Sequence, residues 1–489
     1  MTAPEPVTAE QLGTELVTAE QLGTEPVTAE QLGTVHLVGV GGVGMCGLAR
    51  LLLTRGIPVT GSELREWPAL ASLRALGGTI YSRHEPSNLD GVDTVVYSTA
   101  IPADHLELVE AHRRGLRLLH RSEALVAAMA GRRAIAVAGT HGKTTTTSML
   151  TFVLQHAGLD PSFVIGGEIA EATGGAHHGT GEHFVVEADE ADRSFLRYRP
   201  YAGVVTNIDA DHLNTYGDLA GLTEAFAEFG RNATGFLVTS GDDPRTRQLA
   251  AGWRAAGLTV HTFGRAADAD LRVDRVESTV AGVRYRAWLD GKPIGELAVP
   301  MPGAHLGLNS AAAALVAVRL GVAAESVAAG LAAFPGVRRR FELKGTVAGV
   351  RVYDEYAYHP TSMTAALRTL REVAGGGRLL VVFQPYRVYR TRDLQAEIAG
   401  ALSLADLAVV LEVFGPGEVR EPGEGGVALT AAVDLPADRK VFVPDWDAVP
   451  AEVAARARPG DVVVTMGAPP SSLLGDELLA ALAGRAEPG

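Results

Sequence analysis

The sequence predicts an α/β chain of three domains, each organised around a doubly wound, largely parallel sheet. Three observations carry that prediction. Two glycine-rich turns, Gly39–Gly44 and Gly139–Thr144, each stand between an apolar run and a helix-forming run. A later series of apolar runs, Val350–Tyr353, Leu379–Phe383, Ala408–Leu411 and Asp461–Thr465, is separated by helical stretches. Finally, 489 residues are too many for one ordinary core and fit roughly three domains.

Composition narrows the function classes. A formal net charge of −14 argues against a nucleic-acid partner, because phosphate backbones are bound by clustered cations. The longest basic run is only Arg338-Arg339-Arg340. Cys46 is the single cysteine, so neither an intramolecular disulfide nor a cysteine-rich metal site can form. No signal-peptide pattern opens the chain, and no run of 18 uncharged apolar residues follows, so a cytoplasmic protein without membrane insertion is expected.

Residues 1–33 read as a repeat-containing flexible tail. Glu5–Thr14 recurs twice more with a period of ten, a unit too short and polar to bury a core. Within each unit the Thr and the Gln three residues later can cap one helical turn, which Gly then ends. The last copy is expected to lead into the first strand.

The first domain spans 34–121. Val35–Gly39 is a strand, Gly39-Val40-Gly41-Gly42-Val43-Gly44 satisfies G-x-G-x-x-G, and a helix runs to Thr54. Ile57–Gly61 is the second strand, with Ser62 and Glu63 after it. The spacing is that of a Rossmann-like dinucleotide site, although similar glycine turns also serve only to pack helix on strand.

The second domain spans 122–338. Ala134–Ala138 is a buried strand leading into Gly139-Thr140-His141-Gly142-Lys143-Thr144-Thr145, and Ser148–Leu154 can open a helix. Such a loop aims backbone N–H groups and a helix terminus at a phosphate chain. Lys143 can reach the β- and γ-phosphates, and the Thr144 hydroxyl can bind Mg²⁺. The general phosphate loop places four residues between its glycines, whereas here there are two, Thr140 and His141. Two strands, Phe184–Glu187 and Ala202–Thr206, then run into acidic clusters, Glu187-Ala-Asp-Glu-Ala-Asp192 and Asp209-Ala-Asp-His212. Acids at strand ends beside a phosphate loop commonly hold Mg²⁺.

The third domain spans 339–489 and is a second Rossmann-like sheet. Arg387 and Arg390 are three apart, so one helical turn puts both guanidinium groups on one face, where they can clamp a carboxylate.

Gly-Thr-His-Gly-Lys-Thr-Thr-Thr (139–146) resembles the ATP loop of the Mur ligase family. His36–Met45, Tyr97–Ile101, His120–Glu123, Glu187–Asp192, Pro302–Asn309, Asp354–Pro360 and Phe383–Thr391 resemble other segments of that family, in the same order. The resemblance implies a UDP-binding Rossmann-like domain, a P-loop ATPase-like domain and a C-terminal Rossmann-like domain. It is greatest with members that add L-alanine to UDP-N-acetylmuramate in peptidoglycan synthesis, with ATP as co-substrate and Mg²⁺.

Roles follow by resemblance. Gly41, Gly42, Val43 and Gly44 receive the UDP pyrophosphate, Ser62 meets the uracil end, and Arg121 joins the UDP-sugar site. Gly139 through Thr145, with Asn309, Arg340 and Asp354, bind ATP. Lys143, Glu187 and His212 carry the chemistry, and Thr144, Glu187 and His212 hold the metal. Tyr356, Tyr358, Arg387 and Arg390 bind the amino acid, and the third domain closes over the second. The chain departs from the family pattern at Glu63, Leu306, Glu355, Tyr358, Ser362, Tyr386 and Ala468–Ser471. Most of these concern the acceptor, so a paralogue taking another amino acid or a peptide stays open. A nicotinamide oxidoreductase would explain Gly39–Gly44 but leave the Lys143 loop idle. A non-catalytic nucleotide sensor would need no acceptor residues.

Overall fold

Five short apolar runs align in parallel as the first sheet: β1 (Val35–Val38), β2 (Val59–Ser62), β3 (Thr79–Tyr81), β4 (Thr94–Tyr97) and β5 (Arg117–His120). Their order is β3-β2-β1-β4-β5, the doubly wound arrangement whose switch point lies between β1 and β4. The computed structural model describes residues 27–169, 175–421, 423–467 and 470–486. Two copies of the ten-residue repeat, and Ala468 and Pro469, lie outside them.

The third copy of the repeat is part of the first sheet's layer. Ala29–Leu32 forms a single 3₁₀ turn in which Gln31 Oε1 accepts the Thr28 N–H at 2.7 Å, the expected capping pair. Ala29 and Leu32 are fully buried in the core. The first domain's core therefore takes in residues before Thr34.

The second sheet comprises β6 (Arg133–Ala138), β7 (Ser162–Val164), β8 (Ala176–His177), β9 (His183–Glu187), β10 (Ala202–Val205), β11 (Phe236–Ser240), β12 (Val260–Gly264), β13 (Leu271–Thr279), β14 (Gly282–Leu289) and β15 (Lys292–Val299). Its order is β15-β14-β13-β12-β11-β10-β6-β9-β7-β8. β6 is central and parallel to both neighbours, so the ends of β9 and β10 lie level with its own: Glu187 pairs with Val137, and Val205 with Ala138. β6, β9 and β10 are buried almost throughout, as strands covered on both faces must be.

The third sheet holds β16 (Glu342–Val347), β17 (Val350–Glu355), β18 (Leu379–Gln384), β19 (Leu407–Val410), β20 (Lys440–Phe442) and β21 (Val462–Gly467), in the order β16-β17-β21-β18-β19-β20. Only β16 is antiparallel. Val352, Val382, Val409 and Val463 are fully buried in its core.

By compactness the chain forms two units. One ends at Val273 and also takes in Trp288–Ile294 and Asn309–Leu331; the other takes Asp274–Ala287, Gly295–Leu308 and the chain from Ala332. The first sequence domain and most of the second thus fall in one unit, while parts of the second between residues 274 and 338 fall in the other. Among the described residues no helix is long and apolar enough to cross a membrane.

Candidate active site

Backbone conformation explains the shortened glycine loop. Gly139 has φ 125°, and a Cβ there would collide with the Thr206 hydroxyl and lie 2.8 Å from its backbone nitrogen. Gly142 has φ 81° and caps the helix Lys143–His156, which begins five residues earlier than its apolar pattern predicts. Lys143 and Thr144 are therefore the first residues of the helix, where N–H groups lack intrahelical acceptors and favour an anion. A Cβ at Gly142 would lie 2.6 Å from Asn309 Oδ1, which places Asn309 against the same loop.

The residues after β10 hold the loop rigid. The Thr140 N–H donates to the Asn207 carbonyl at 3.1 Å, and the His141 N–H donates to Asn207 Oδ1 at 2.9 Å. The His141 carbonyl accepts from the Thr206 hydroxyl at 2.7 Å and from Asn207 Nδ2 at 2.9 Å. His141 Nε2 meets Asp209 Oδ2 at 3.0 Å. His212, in the left-handed region at φ 53°, caps the short helix Leu213–Tyr216 and faces Asp211 at 3.8 Å.

On the other flank β9 delivers the acids. Lys143 Nζ donates to Glu190 Oε2 at 2.6 Å and stands 3.8 Å from Asp189. Burial opposes the ammonium charge, but Glu190 and Asp189 outweigh it, and the Lys143 pKa is raised. The Thr144 hydroxyl donates to Glu187 Oε1 at 3.0 Å, while the Gly166 N–H donates to Oε2 at 2.8 Å. Burial raises the Glu187 pKa against the pull of Lys143. The hydroxyl of Thr144 beside the Glu187 carboxylate is a hard-oxygen pair of the kind Mg²⁺ takes. The structure thus brings Lys143, Thr144 and Glu187 together at one strand end and sets His212 on the loop after the neighbouring strand.

The first domain's loop is built by the same logic. Gly39 has φ 70°, and the N–H groups of Gly39 and Val40 donate to the Ser62 carbonyl at 2.9 and 3.1 Å. The Ser62 side chain is fully buried, with its hydroxyl donating to Glu107 at 2.6 Å, so Ser62 serves the loop through its carbonyl. A side chain on Gly44 would strike the Arg121 guanidinium, so Arg121 lies directly over the loop. Glu63 accepts the Gly41 N–H at 3.1 Å. His120–Glu123 also ties the first sheet to the acid-bearing segment: His120 faces Asp192 at 3.7 Å, and Arg197 faces Glu123 at 3.3 Å.

The second unit carries its own cluster. Asp354 is buried between Arg339 Nε at 3.1 Å and the Thr465 hydroxyl at 2.9 Å, and Arg339 also donates to the Gly467 carbonyl and to Ser471. Arg340 donates to the Tyr356 carbonyl at 2.7 Å and faces Glu355 at 3.8 Å. Burial pushes Glu355 up to about 7, despite the attraction of Arg340. Tyr356, Tyr358 and Tyr386 form an aromatic row with centroid spacings of 5.5 and 5.3 Å. Arg390, nearly fully buried, lies 4.8 Å over Tyr358, and Arg387 lies 5.3 Å over Tyr386. The two arginines border one aromatic row, although Arg387, at φ 68°, is the cap of the helix Val388–Asp393 rather than part of it.

Pattern reading assigned no role to Glu190, Asp209, Arg339 or Trp67. Each is one of several like residues in its segment, or has no charge pattern around it, and only the fold shows which one points where.

Three family descriptions match this chain: the Mur ligase family catalytic domain over residues 34–133, the Mur ligase middle domain over 137–317, and the Mur ligase glutamate ligase domain over 339–469. The UDP-N-acetylmuramate–L-alanine ligase of Salinispora arenicola is 70% identical over 92% of this chain and 89% of its own length. That of Acidothermus cellulolyticus is 52% identical over 88% of this chain and 91% of its own. Among solved structures, the UDP-N-acetylmuramate-alanine ligase MurC of Thermotoga maritima superimposes with a TM-score of 0.78 at 27% identity, covering 92% of this chain and 99% of that one. A murein peptide ligase from Psychrobacter arcticus gives a TM-score of 0.70 at 25% identity over 92% and 99%.

Proposed function

The chain belongs to the Mur ligase family, and from that premise we infer that it joins L-alanine to the lactyl carboxylate of UDP-N-acetylmuramate with ATP. This is an amide-forming ligation of peptidoglycan synthesis. A carboxylate is a poor acylating agent. The lactyl carboxylate therefore attacks the γ-phosphorus of ATP, ADP leaves, and an acyl phosphate forms. The alanine amine then attacks the acyl carbon, loses a proton, and expels phosphate.

The single observation that carries the mechanism is the convergence of Lys143, Thr144 and Glu187 where β6 and β9 end. Lys143 spreads the charge that develops on the transferred phosphoryl group, and the helix terminus at Gly142 supports the phosphate chain. Thr144, Glu187 and His212 are the residues that would hold Mg²⁺. When bound, that ion offsets phosphate charge as phosphoryl transfer proceeds. Asn309 borders the nucleotide from the other side of Gly142. Arg340 and Asp354, with Arg339 bracing Asp354 in place, are the second unit's candidates for contact with ATP.

Gly41–Gly44 and Arg121 hold the UDP end. Arg387 and Arg390 hold the acceptor's carboxylate, and Tyr356, Tyr358 and Tyr386 wall its side chain. The substrates are small molecules, and the setting is the cytoplasm. Mass spectrometry of a mixture of ATP, Mg²⁺, UDP-N-acetylmuramate and L-alanine tests this reading. UDP-N-acetylmuramoyl-L-alanine should appear in step with ADP and phosphate, and omission of any one reactant should abolish it. Phosphate release that needs neither UDP-sugar nor alanine would overturn the reading.

A further inference from the structure

The first domain's glycine loop has a neighbour that its motif does not announce. A Cβ built on Gly41 would lie 2.9 Å from Trp67 Nε1 and 2.6 Å from Glu63 Oε2. The five-membered edge of the indole therefore rests on the α-carbon of Gly41, and only glycine leaves it room. The placement is fixed from both sides. Pro68 restricts Trp67 to extended backbone, observed at φ −98° and ψ 144°, where Trp67 caps the helix Pro68–Ala75. One part of the indole packs against the domain core, and the rest stays accessible beside the loop. Val43 and Leu64, which adjoin Gly42 and Glu63 in the chain, are 59% and 66% exposed. An anion-binding turn is thus bordered by one aromatic and two aliphatic side chains, an environment suited to a nucleoside rather than to more phosphate.

We propose that Trp67 is a binding residue of the UDP-sugar site, its indole forming the aromatic wall for the uridine half of the ligand. The inference rests on reading the first domain as the UDP site. The diphosphate sits at the N-terminus of the helix Val43–Thr54, and the flat face of the base covers Trp67, with Val43 and Leu64 beside it. Stacking on an indole needs no hydrogen-bond pattern, so it supplies affinity, while Glu63 supplies a polar partner.

The chain has four tryptophans, and the other three have surroundings of their own. Trp253 is buried in its own helix packing, Trp288 carries Arg272 at 4.1 Å from its ring, and Trp446 bonds Glu477. A UDP-dependent change in intrinsic fluorescence that is absent from Trp67→Phe is therefore assigned to Trp67. UDP alone should quench wild-type emission along a saturating curve, and the quench should vanish in Trp67→Phe. Calorimetry should show UDP binding weakened about 5- to 150-fold in Trp67→Ala and less in Trp67→Phe, the range expected for one lost stack. Should Trp67→Ala fail to fold, as judged by its melting temperature, Trp67→Phe alone decides. UDP that binds the wild type by calorimetry yet quenches Trp67→Phe as strongly as wild type would overturn the proposal and leave the UDP site standing. Absence of UDP binding to the wild type would overturn that reading of the domain and the proposal with it.

Discussion

Lys143 shows how single residues divide the work. Its ammonium is paired with Glu190 and Asp189 in a buried site, so the charge is in place before any nucleotide arrives. Lys143→Ala should abolish ligation in a product assay, since loss of a preorganised charge typically costs several kcal/mol of transition-state stabilisation. UDP binding, on a different sheet, should stay within about twofold by calorimetry. Turnover within tenfold of wild type would rule the loop out as the ATP site. Arg390→Ala should behave differently and raise the KM for alanine, because Arg390 lies over the aromatic row and is proposed to hold the acceptor's carboxylate; an unchanged KM would remove it from the acceptor site. His120 sets a pH limit on stability. Burial lowers its pKa to about 4, outweighing Asp192 at 3.7 Å. An unfolded chain takes up that proton near 6.5, so stability is intact above that pH and is lost as pH falls from about 6.5 to 4. His120→Asn, which can still cap the helix, should flatten the fall in melting temperature across that window. Equal slopes would contradict the assignment.

Elements were legible wherever periodicity and turn chemistry agreed. The strands before both glycine loops, and those read at 184–187, 202–206, 350–353, 379–383, 408–411 and 461–465, appear within two residues of their expected bounds. The start of the helix at Lys143 was not legible. Four consecutive threonines have modest helix propensity, and it is the loop conformation at Gly142 that commits them. The repeat was only half legible: its capping pair was readable from Thr and Gln, but the burial of Ala29 and Leu32 depends on a groove that only tertiary structure makes. Deleting Met1–Glu25 should leave melting temperature and turnover nearly unchanged, because the docked copy remains. In that shortened chain Leu32→Ala should cost about 2–5 kcal/mol, as a buried leucine does. A neutral outcome would show that the turn is merely draped on the domain. Tyr356, Tyr358 and Tyr386 were singled out by family resemblance, but their stacking in one row was not legible, because Tyr386 comes from a different loop than the other two.

For the whole molecule, the order of the motifs carried most of the functional reading. Glycine loop, phosphate loop, acid-ended strands and paired arginines follow one another over three sheets, and each sheet places its share at strand ends. What order could not convey is which charged residue of a cluster faces inward, as with Glu190 among the acids and Arg339 among the arginines. The central claim is that phosphate leaves from an acyl phosphate formed on the lactyl carboxylate. It is tested most directly by supplying UDP-N-acetylmuramate with both carboxylate oxygens as ¹⁸O, together with ATP and L-alanine. Mass spectrometry should find one ¹⁸O in each phosphate released and the other in the new amide carbonyl. Unlabelled phosphate accompanying the amide product would contradict the account.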